Sequence, residues 1–426
     1  MNISITNTKL TKERRVTTII AILILAVILT VPMSMYAQNV IPLTSTQGLR
    51  NSQVRDIYQD SRENVWIGTQ DGLFRYDGAK LRGYYHDKHD NTSLGFNYVI
   101  CLMEFDRDRV LVGTKRGLYE YNYRTDSFKL LPFVDNNGDT LHLHVASLYK
   151  PDDKTVTAFV GVYGSYNVVE EQGALVCKLC TDYVTSNVSC SQCIRNSKGD
   201  IFVINDIHEI HYKKKGTRNF VRIDKTNDVV SACLGDDDNV YVGTLHRGLF
   251  RCDTKTKTLV RISPDDESFV TSNVVNVKNG FIGVCTDGQG LKLYNVQTKR
   301  FTQSNVRTPQ FDFTQSNVKD VLFDNKSNLW IGVFWKGVFV MPFSRSPFQY
   351  IGRNSPSSNT IGTNCVTAIA DKSQDGLWVA TDNCGLYQIS LDGRTGSHVD
   401  GLPTTISAIS QDKEGKMYIY ILKLLY

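Results

Sequence analysis

The sequence predicts an all-β fold in which one small antiparallel sheet is repeated along the chain. Three observations predict it. A pattern of a β-branched residue, an apolar residue three positions on, often Asp three beyond, then Trp-hydrophobic-Gly-Thr and a Gly-Leu pair recurs from residue 50 onward. Between neighbouring recognisable copies, the glycine position returns every 40 to 49 residues, too long for an ankyrin or leucine-rich repeat and right for a propeller blade. No stretch after residue 40 sustains a 3.6-residue apolar period, so each copy reads as strands without a helix.

The elements follow in order. Lys9, Lys12, Arg14 and Arg15 precede an apolar or small run from Val16 to Val31, followed by Pro32 and a small residue at Ala37. That is the build of a cleaved signal peptide over residues 1–37, with an uncleaved anchor as the alternative, since the run is short of the roughly 20 apolar residues of a membrane span. The mature chain is expected to begin near Gln38 on the extracytoplasmic side, and no later segment is long and apolar enough to span a membrane.

Copy one holds Val54, Ile57, Asp60, Trp66, Ile67, Gly68, Thr69, Gly72, Leu73 and Tyr76. Copy two holds Val99, Leu102, Val112, Gly113, Thr114, Gly117, Leu118 and Tyr121, and copy seven holds Val318, Val321, Asp324, Trp330, Ile331, Gly332 and Gly337. Copy eight holds Val366, Ile369, Trp378, Val379, Thr381, Gly385 and Leu386, with Ala380 at the glycine position. Shorter fifth and sixth copies end in Tyr241-Val-Gly-Thr244 and Phe281-Ile-Gly283. Two degenerate copies lie at Val145 to Gly164 and Asn187 to Ile204.

Residues before each Gly-Thr suit a pleated, half-buried surface, and the glycine after it suits a tight hairpin. A single four-stranded sheet buries neither face alone, so the copies must stack around an axis. Trp66, Trp330 and Trp378 read as packing between blades, with ligand stacking as the alternative. The fold class expected is therefore all-β: a seven-bladed β-propeller of four-stranded antiparallel blades over residues 38–345, then the first one to two blades of a second, incomplete propeller over 346–426. Asn39 to Thr44 is expected to complete the seventh blade, in the role that Lys80 to His86 plays for the first. A ninth copy matches through Ile406, Ile409, Asp412, Tyr418 and Ile419, after which the sequence reads Tyr420-Ile-Leu-Lys-Leu-Leu-Tyr426 where Gly-Thr is due. A truncated or frame-shifted product is the expectation, with a natural short form as the alternative.

The repeat resembles the two-component regulator propeller family, extracytoplasmic sensor parts of hybrid two-component proteins, many of which regulate use of complex glycans. The likeness is carried by Gly48-Leu-Arg-Asn-Ser-Gln-Val-Arg-Asp-Ile-Tyr-Gln-Asp60, Val65-Trp-Ile-Gly-Thr-Gln-Asp-Gly-Leu-Phe-Arg-Tyr-Asp-Gly78, Leu329-Trp-Ile-Gly332 and Gly376-Leu-Trp-Val-Ala-Thr381. It implies two stacked seven-bladed propellers, a small β-sandwich, a membrane helix and cytoplasmic kinase and regulator parts, of which this sequence holds the first propeller and the start of the second.

Composition narrows the chemistry. With 48 Lys+Arg against 43 Asp+Glu, the formal charge of +5 is too close to balance for a phosphate-tracking nucleic-acid binder. At 41% apolar residues the chain is not disordered, and ten cysteines are too few for a disulfide scaffold. Cys177-Lys-Leu-Cys180 and Cys190-Ser-Gln-Cys193 have zinc-site spacing. However, Cys190 and Cys193 align with Val54 and Ile57, so buried core thiols are expected, with a disulfide or zinc as alternatives. His208-Glu-Ile-His211 and His142-Leu-His144 read as solvated or cross-strand histidines rather than metal ligands. Asp236-Asp-Asp238 falls in a turn where calcium is the lesser alternative. Gly83-Tyr-Tyr85 and Tyr163-Gly-Ser-Tyr166 read as cross-strand packing, with sugar stacking as the alternative. No nucleophile elbow, phosphate loop or paired-carboxylate motif stands out.

No catalytic, cofactor-binding or metal residue is therefore assigned, and no cofactor. The expected function is a non-enzymatic periplasmic sensing module that binds an oligo- or polysaccharide, or its neighbouring propeller or a second copy, without the kinase and regulator parts needed to signal. The alternative is a secreted propeller lyase or glycosidase. Carboxylates or histidines converging on the axis favour the enzyme; small and polar residues there favour the sensor.

Overall fold

The computed structural model describes residues 40–421, except 135–138, 184–189, 265–268, 304–306, 309–310, 343–350, 353–360, 363–364, 373–375, 391–394 and 413–415. The signal-peptide expectation for residues 1–37 and the end of the ninth copy fall outside the described residues. The described part is all-β, its helical pieces being three-residue 3-10 turns at Ser45–Gln47, Gly161–Tyr163 and Phe313–Gln315. Among the described residues no helix is long and apolar enough to cross a membrane.

Seven four-stranded antiparallel sheets lie between Ile41 and Met341. Their first strands are Val54–Gln59, Val99–Asp106, Ser147–Asp152, Cys190–Arg195, Val229–Leu234, Thr271–Asn276 and Val318–Phe323. Consecutive first strands pack on one another, and the seventh packs on the first, which closes the cycle. The degenerate third and fourth copies build full sheets, ending in Ala174–Cys180 and Val221–Arg222. The seventh sheet takes its fourth strand from the other end of the sequence: Ile41–Leu43 pairs antiparallel with Gly337–Met341, with Pro42 opposite Phe339. Proline fits there because the outermost strand leaves one side of its backbone unpaired.

Apolar packing lies between the sheets. Trp66 and Leu73 of the first sheet join Val99, Leu102, Val112 and Tyr121 of the second in one cluster. Leu43, Trp330 and Val338 of the seventh join Val54, Val65 and Phe74 of the first. The glycine of Gly-Thr makes this approach possible: a Cβ on Gly68 would lie 2.8 Å from Val99 Cγ1, and one on Gly243 would lie 2.4 Å from Val274 Cγ2. The threonine after it closes the next turn, as Thr69 Oγ1 donates to the Gly72 carbonyl and accepts from the Asp71 N–H.

Residues 366–420 carry an eighth four-stranded sheet, Val366–Asp371, Leu377–Thr381, Leu386–Ile389 and Gly396–Val399, and a two-stranded pair, Ala408–Gln411 with Met417–Tyr420. Trp378 packs with Met417 and Ile419 of that pair. Its strand positions are less covered than their counterparts: Ile369 is 62% exposed, whereas Ile57 is 5% exposed.

Candidate functional site

In six of the seven sheets the first strand carries a β-bulge at its second residue, such as Arg55 in the Val54/Asp56 step and Lys319 in the Val318/Asp320 step. A bulge re-aims the side chains beside it. It turns the third residue of these six strands toward the neighbouring sheet, on the axis side of the cycle, where the sequence supplies Asp56, Cys101, Gln192, Ser231, Asn273 and Asp320; in sheet three, which lacks this bulge, Ser147 opens the first strand and its Oγ is buried without a partner.

These side chains stitch one sheet to the next. Asp320 Oδ2 accepts the Ile57 N–H at 2.8 Å, and Asp56 Oδ2 accepts the Leu102 N–H at 2.6 Å. Gln192 accepts the Ala232 N–H at 2.9 Å and donates back to the Ala232 carbonyl at 2.8 Å. Ser231 Oγ accepts the Val274 N–H and donates to Asn273 Oδ1, and Asn273 Nδ2 donates to Asp320 Oδ1 at 2.9 Å. At four of the bulges a backbone N–H beside the bulge, that of Ile57, Leu102, Ala232 or Val274, is satisfied by a polar side chain from the preceding sheet.

Two of these groups are carboxyls on adjoining sheets, Asp320 reaching from sheet seven to sheet one and Asp56 from sheet one to sheet two. Burial first, and the Asp320 charge second, pushes Asp56 up to about 8 against the backbone hydrogen bonds that favour its ionised form. Burial pushes Asp320 up to about 6. Like charges brought together out of water cannot both ionise at low cost, so burial and mutual repulsion favour the protonated form of the pair. The Cys101 thiol beside them is pushed well up by burial and then by Asp56. No paired-carboxylate motif is visible in the sequence because these two come from sheets one and seven, with Ile57 and Asp320 263 positions apart. The signal that finds them is the third position of copies one and seven, Val-x-Asp, once the copies are arranged in a closed cycle.

Antiparallel succession places the turns between second and third strands, and the links between sheets, at one end of the cycle. There Tyr98 lies under two cations, Lys115 with its Nζ 4.2 Å from the ring centroid and Arg55 at 5.8 Å. Lys319 sits over Phe334 at 5.2 Å, and Trp335 beside it is 60% exposed. His144 is held below the usual imidazole range by partial burial, then by the Lys115 and Arg55 charges. The opposite end carries the turns between first and second strands. These are polar and bonded across sheets: Ser61 to Glu104, Arg62 to Asp108, Ser197 to Asp238 and Lys326 to Glu63.

The residues singled out from sequence fall as follows. Cys180, Cys190 and Cys193 pack in an apolar cluster with Phe159 and Tyr183, and Cys177 lines the neighbouring cluster, so these thiols are core groups. Cys177, Cys180, Cys190 and Cys193 are free thiols. His208 bonds through Nδ1 to the Val229 carbonyl, while His211 pairs with Glu209, which also receives Arg222 and Asn205. His142 and His144 are both exposed at the end that holds Tyr98. Asp236 binds Asn276 and the Gly280 N–H, Asp237 binds Tyr241, and Asp238 binds Ser197, so the acidic turn spends its carboxylates on protein donors. Tyr84 and Tyr166 are buried packing residues, whereas Tyr163 is 55% exposed.

Residues 48–71 match the sequence profile of the two component regulator propeller. These residues carry the two-component regulator propeller repeat. A stretch of 51 residues is 41% identical to histidine kinase P4 of Formosa agariphila, covering 12% of this chain and 4% of that protein. Among solved structures, the extracellular domain of a putative hybrid two component system from B. thetaiotaomicron is similar with a TM-score of 0.61 at 19% identity, over 89% of this chain and 52% of that one. The extracellular domain of a putative one component system from the same organism gives 0.56 at 20% identity, over 90% and 51%. The propeller-repeat chain thus spans about half the length of these extracellular domains. Virginiamycin B lyase from Staphylococcus aureus shares the fold with a TM-score of 0.51 at 9% identity, over 72% of this chain and 99% of that one.

Proposed function

We propose that residues 38–345 are a seven-bladed propeller, that residues 346–426 begin a second, and that the chain is the extracytoplasmic ligand-sensing part of a two-component regulator responding to an oligo- or polysaccharide. One observation carries the sensor reading over the lyase or glycosidase reading. The two carboxyls at the axis each accept a backbone N–H from the adjoining sheet, as the Gln192 and Ser231 side chains do farther round the cycle, and Asn273 donates to Asp320. General acid and base chemistry needs such groups within reach of a bound substrate; here they serve to hold the sheets together. The seven-blade reading is supported by the unbroken cycle of packed first strands and by the pairing of Ile41–Leu43 with the seventh sheet. The periplasmic location is supported by the basic and apolar N-terminal run and by the extracellular setting of the similar domains.

Calorimetric titration of the purified chain with a panel of oligosaccharides tests this reading. Saturable binding without turnover of the sugar is expected. Cleavage of any member of the panel by the pure chain would establish the enzyme reading instead.

A further inference from the structure

We infer that the end of the cycle where sheets seven, one and two meet is a binding site for an acidic oligosaccharide, with Arg55, Lys115 and Lys319 as its anion contacts and Tyr98 and Trp335 as its stacking surfaces. The inference rests on the glycan-sensing reading and narrows it to carboxylate- or sulfate-bearing sugars.

Part of the cycle's positive charge is neutralised by ion pairs, and part, Arg50, Arg75 and Arg116 as well as these three cations, lies over aromatic rings instead. Arg62, Arg82, Arg109, Arg124, Arg222 and Arg247 each hold a carboxylate. Among the described residues no carboxylate pairs with Arg55, Lys115 or Lys319; what each meets is an aromatic ring. A cation over a ring face gains about 0.5–1 kcal/mol at an exposed site, while its outward N–H donors keep their capacity for an anionic oxygen. Arg55 and Lys319 are the bulged residues of adjoining first strands that pack on one another, so both cations stand at the same end of neighbouring strands.

The apolar part is equally local. Trp335 lies in the turn between the second and third strands of sheet seven with φ of 60° and is 60% exposed, beside Phe334 at 5.5 Å. A non-glycine residue held in the left-handed region costs free energy, and this one presents a large ring to solvent instead of packing it. Rings flanked by unpaired cations suit a ligand with apolar C–H faces and peripheral negative charge, which describes a uronic-acid or sulfated sugar. His144, exposed and close enough to feel Lys115 and Arg55, is a reporter: an anion bound there must raise its pKa.

The test titrates the full chain with oligogalacturonate, a sulfated oligosaccharide, a neutral oligosaccharide of equal length, and inorganic polyphosphate. The wild type and the double variant Arg55→Ala/Lys115→Ala are compared, and His144 is followed by NMR. Both side chains are exposed, and an unchanged melting temperature shows that the variant is folded. Expected are salt-sensitive binding of an acidic sugar, about a tenfold or greater loss in the variant, and a rise in the His144 pKa on binding; which acidic sugar binds tells carboxylate from sulfate. Equal binding of the neutral sugar by both proteins overturns this site and leaves the glycan-sensing reading standing. Polyphosphate binding as tight as the acidic sugar overturns the sugar assignment, and binding of no saccharide overturns both readings.

Discussion

Asp60 Oδ2 accepts the indole N–H of Trp66 at 2.7 Å, while Oδ1 of the same carboxylate accepts the backbone N–H groups of Arg62 and Asn64 at 3.0 and 2.9 Å. Asp324 and Trp330 repeat the arrangement at 2.8 Å, with the N–H groups of Lys326 and Asn328 on Oδ1. Six residues apart in sequence, the pair closes the turn between first and second strands and satisfies the one polar atom of a fully buried tryptophan. In the first copy Tyr123 of the next sheet also donates to Asp60, so a local turn becomes a link between sheets.

Asp60→Ala is therefore expected to cost about 3 kcal/mol, since it orphans a buried indole N–H and opens a turn. Chemical denaturation of the variant measures this. Asp324→Ala should match it in size; a loss below about 1 kcal/mol in both would show that the pair is incidental.

The Asp56 and Asp320 pair gives a pH signature. Both carboxyls titrate higher in the folded chain than at the ordinary carboxylate value, so the folded state holds the extra proton. The stability they contribute is complete below about pH 4 and is lost as pH rises through about 6 and then about 8. Asp56→Asn keeps an oxygen for the Leu102 N–H and removes the charge. It is expected to be no more stable than the wild type at pH 5 and more stable by on the order of 2 kcal/mol at pH 8.5. A difference that does not change with pH would contradict a carboxyl pair that titrates above its ordinary range.

Ile41–Leu43 joins the two ends of the cycle. Its removal by deleting residues 38–45 exposes Val338 and Val340 of the strand it covers. Losing several kcal/mol in a domain of this size is expected to lower the melting temperature by about 10 °C. An unchanged melting temperature would mean that the seventh and first sheets hold together without this strand.

The purified chain is expected to transfer no label from γ-labelled ATP to itself or to a receiver protein. The described residues offer strands and short 3-10 turns, with no helical pair to carry a phosphoacceptor histidine and no nucleotide cradle. Detectable transfer would overturn this.

Much of the fold is legible because each repeat signal does a mechanical job. The glycine of Gly-Thr is where the next sheet's valine touches, the threonine closes a turn, and the aspartate binds the tryptophan. Copies three and four were hard to read because their sheets keep the apolar spacing without those polar devices: Thr157 and Phe159 stand in the strand that elsewhere ends in Gly-Thr. The site was less legible. Asp56, Arg55 and Lys319 look like ordinary alternating polar residues on a strand, and only a bulge, which shifts one residue against its partner, decides that Asp56 turns toward the neighbouring sheet and Arg55 to the end that holds Tyr98. Nor does sequence distance show that copy seven meets copy one.

Residues 346–426 should be held more loosely than residues 38–345. The first strand of the eighth sheet presents Val366 and Ile369 at 39% and 62% exposure, whereas Val54 and Ile57, at the same repeat positions, are 1% and 5% exposed. An apolar residue that is not covered contributes little when removed, so Ile369→Ala is expected to change stability by less than about 0.5 kcal/mol. Ile57→Ala should cost about 2–4 kcal/mol, because it leaves a cavity between two sheets. A repeat covered on one side also has less of the neighbour packing that stabilises stacked repeats. Limited proteolysis should therefore cut first between Arg345 and Asn364 and leave a resistant fragment near residues 38–345. Cleavage within the first seven sheets while 346–426 stays intact would contradict both the boundary and the unequal stability of the two parts.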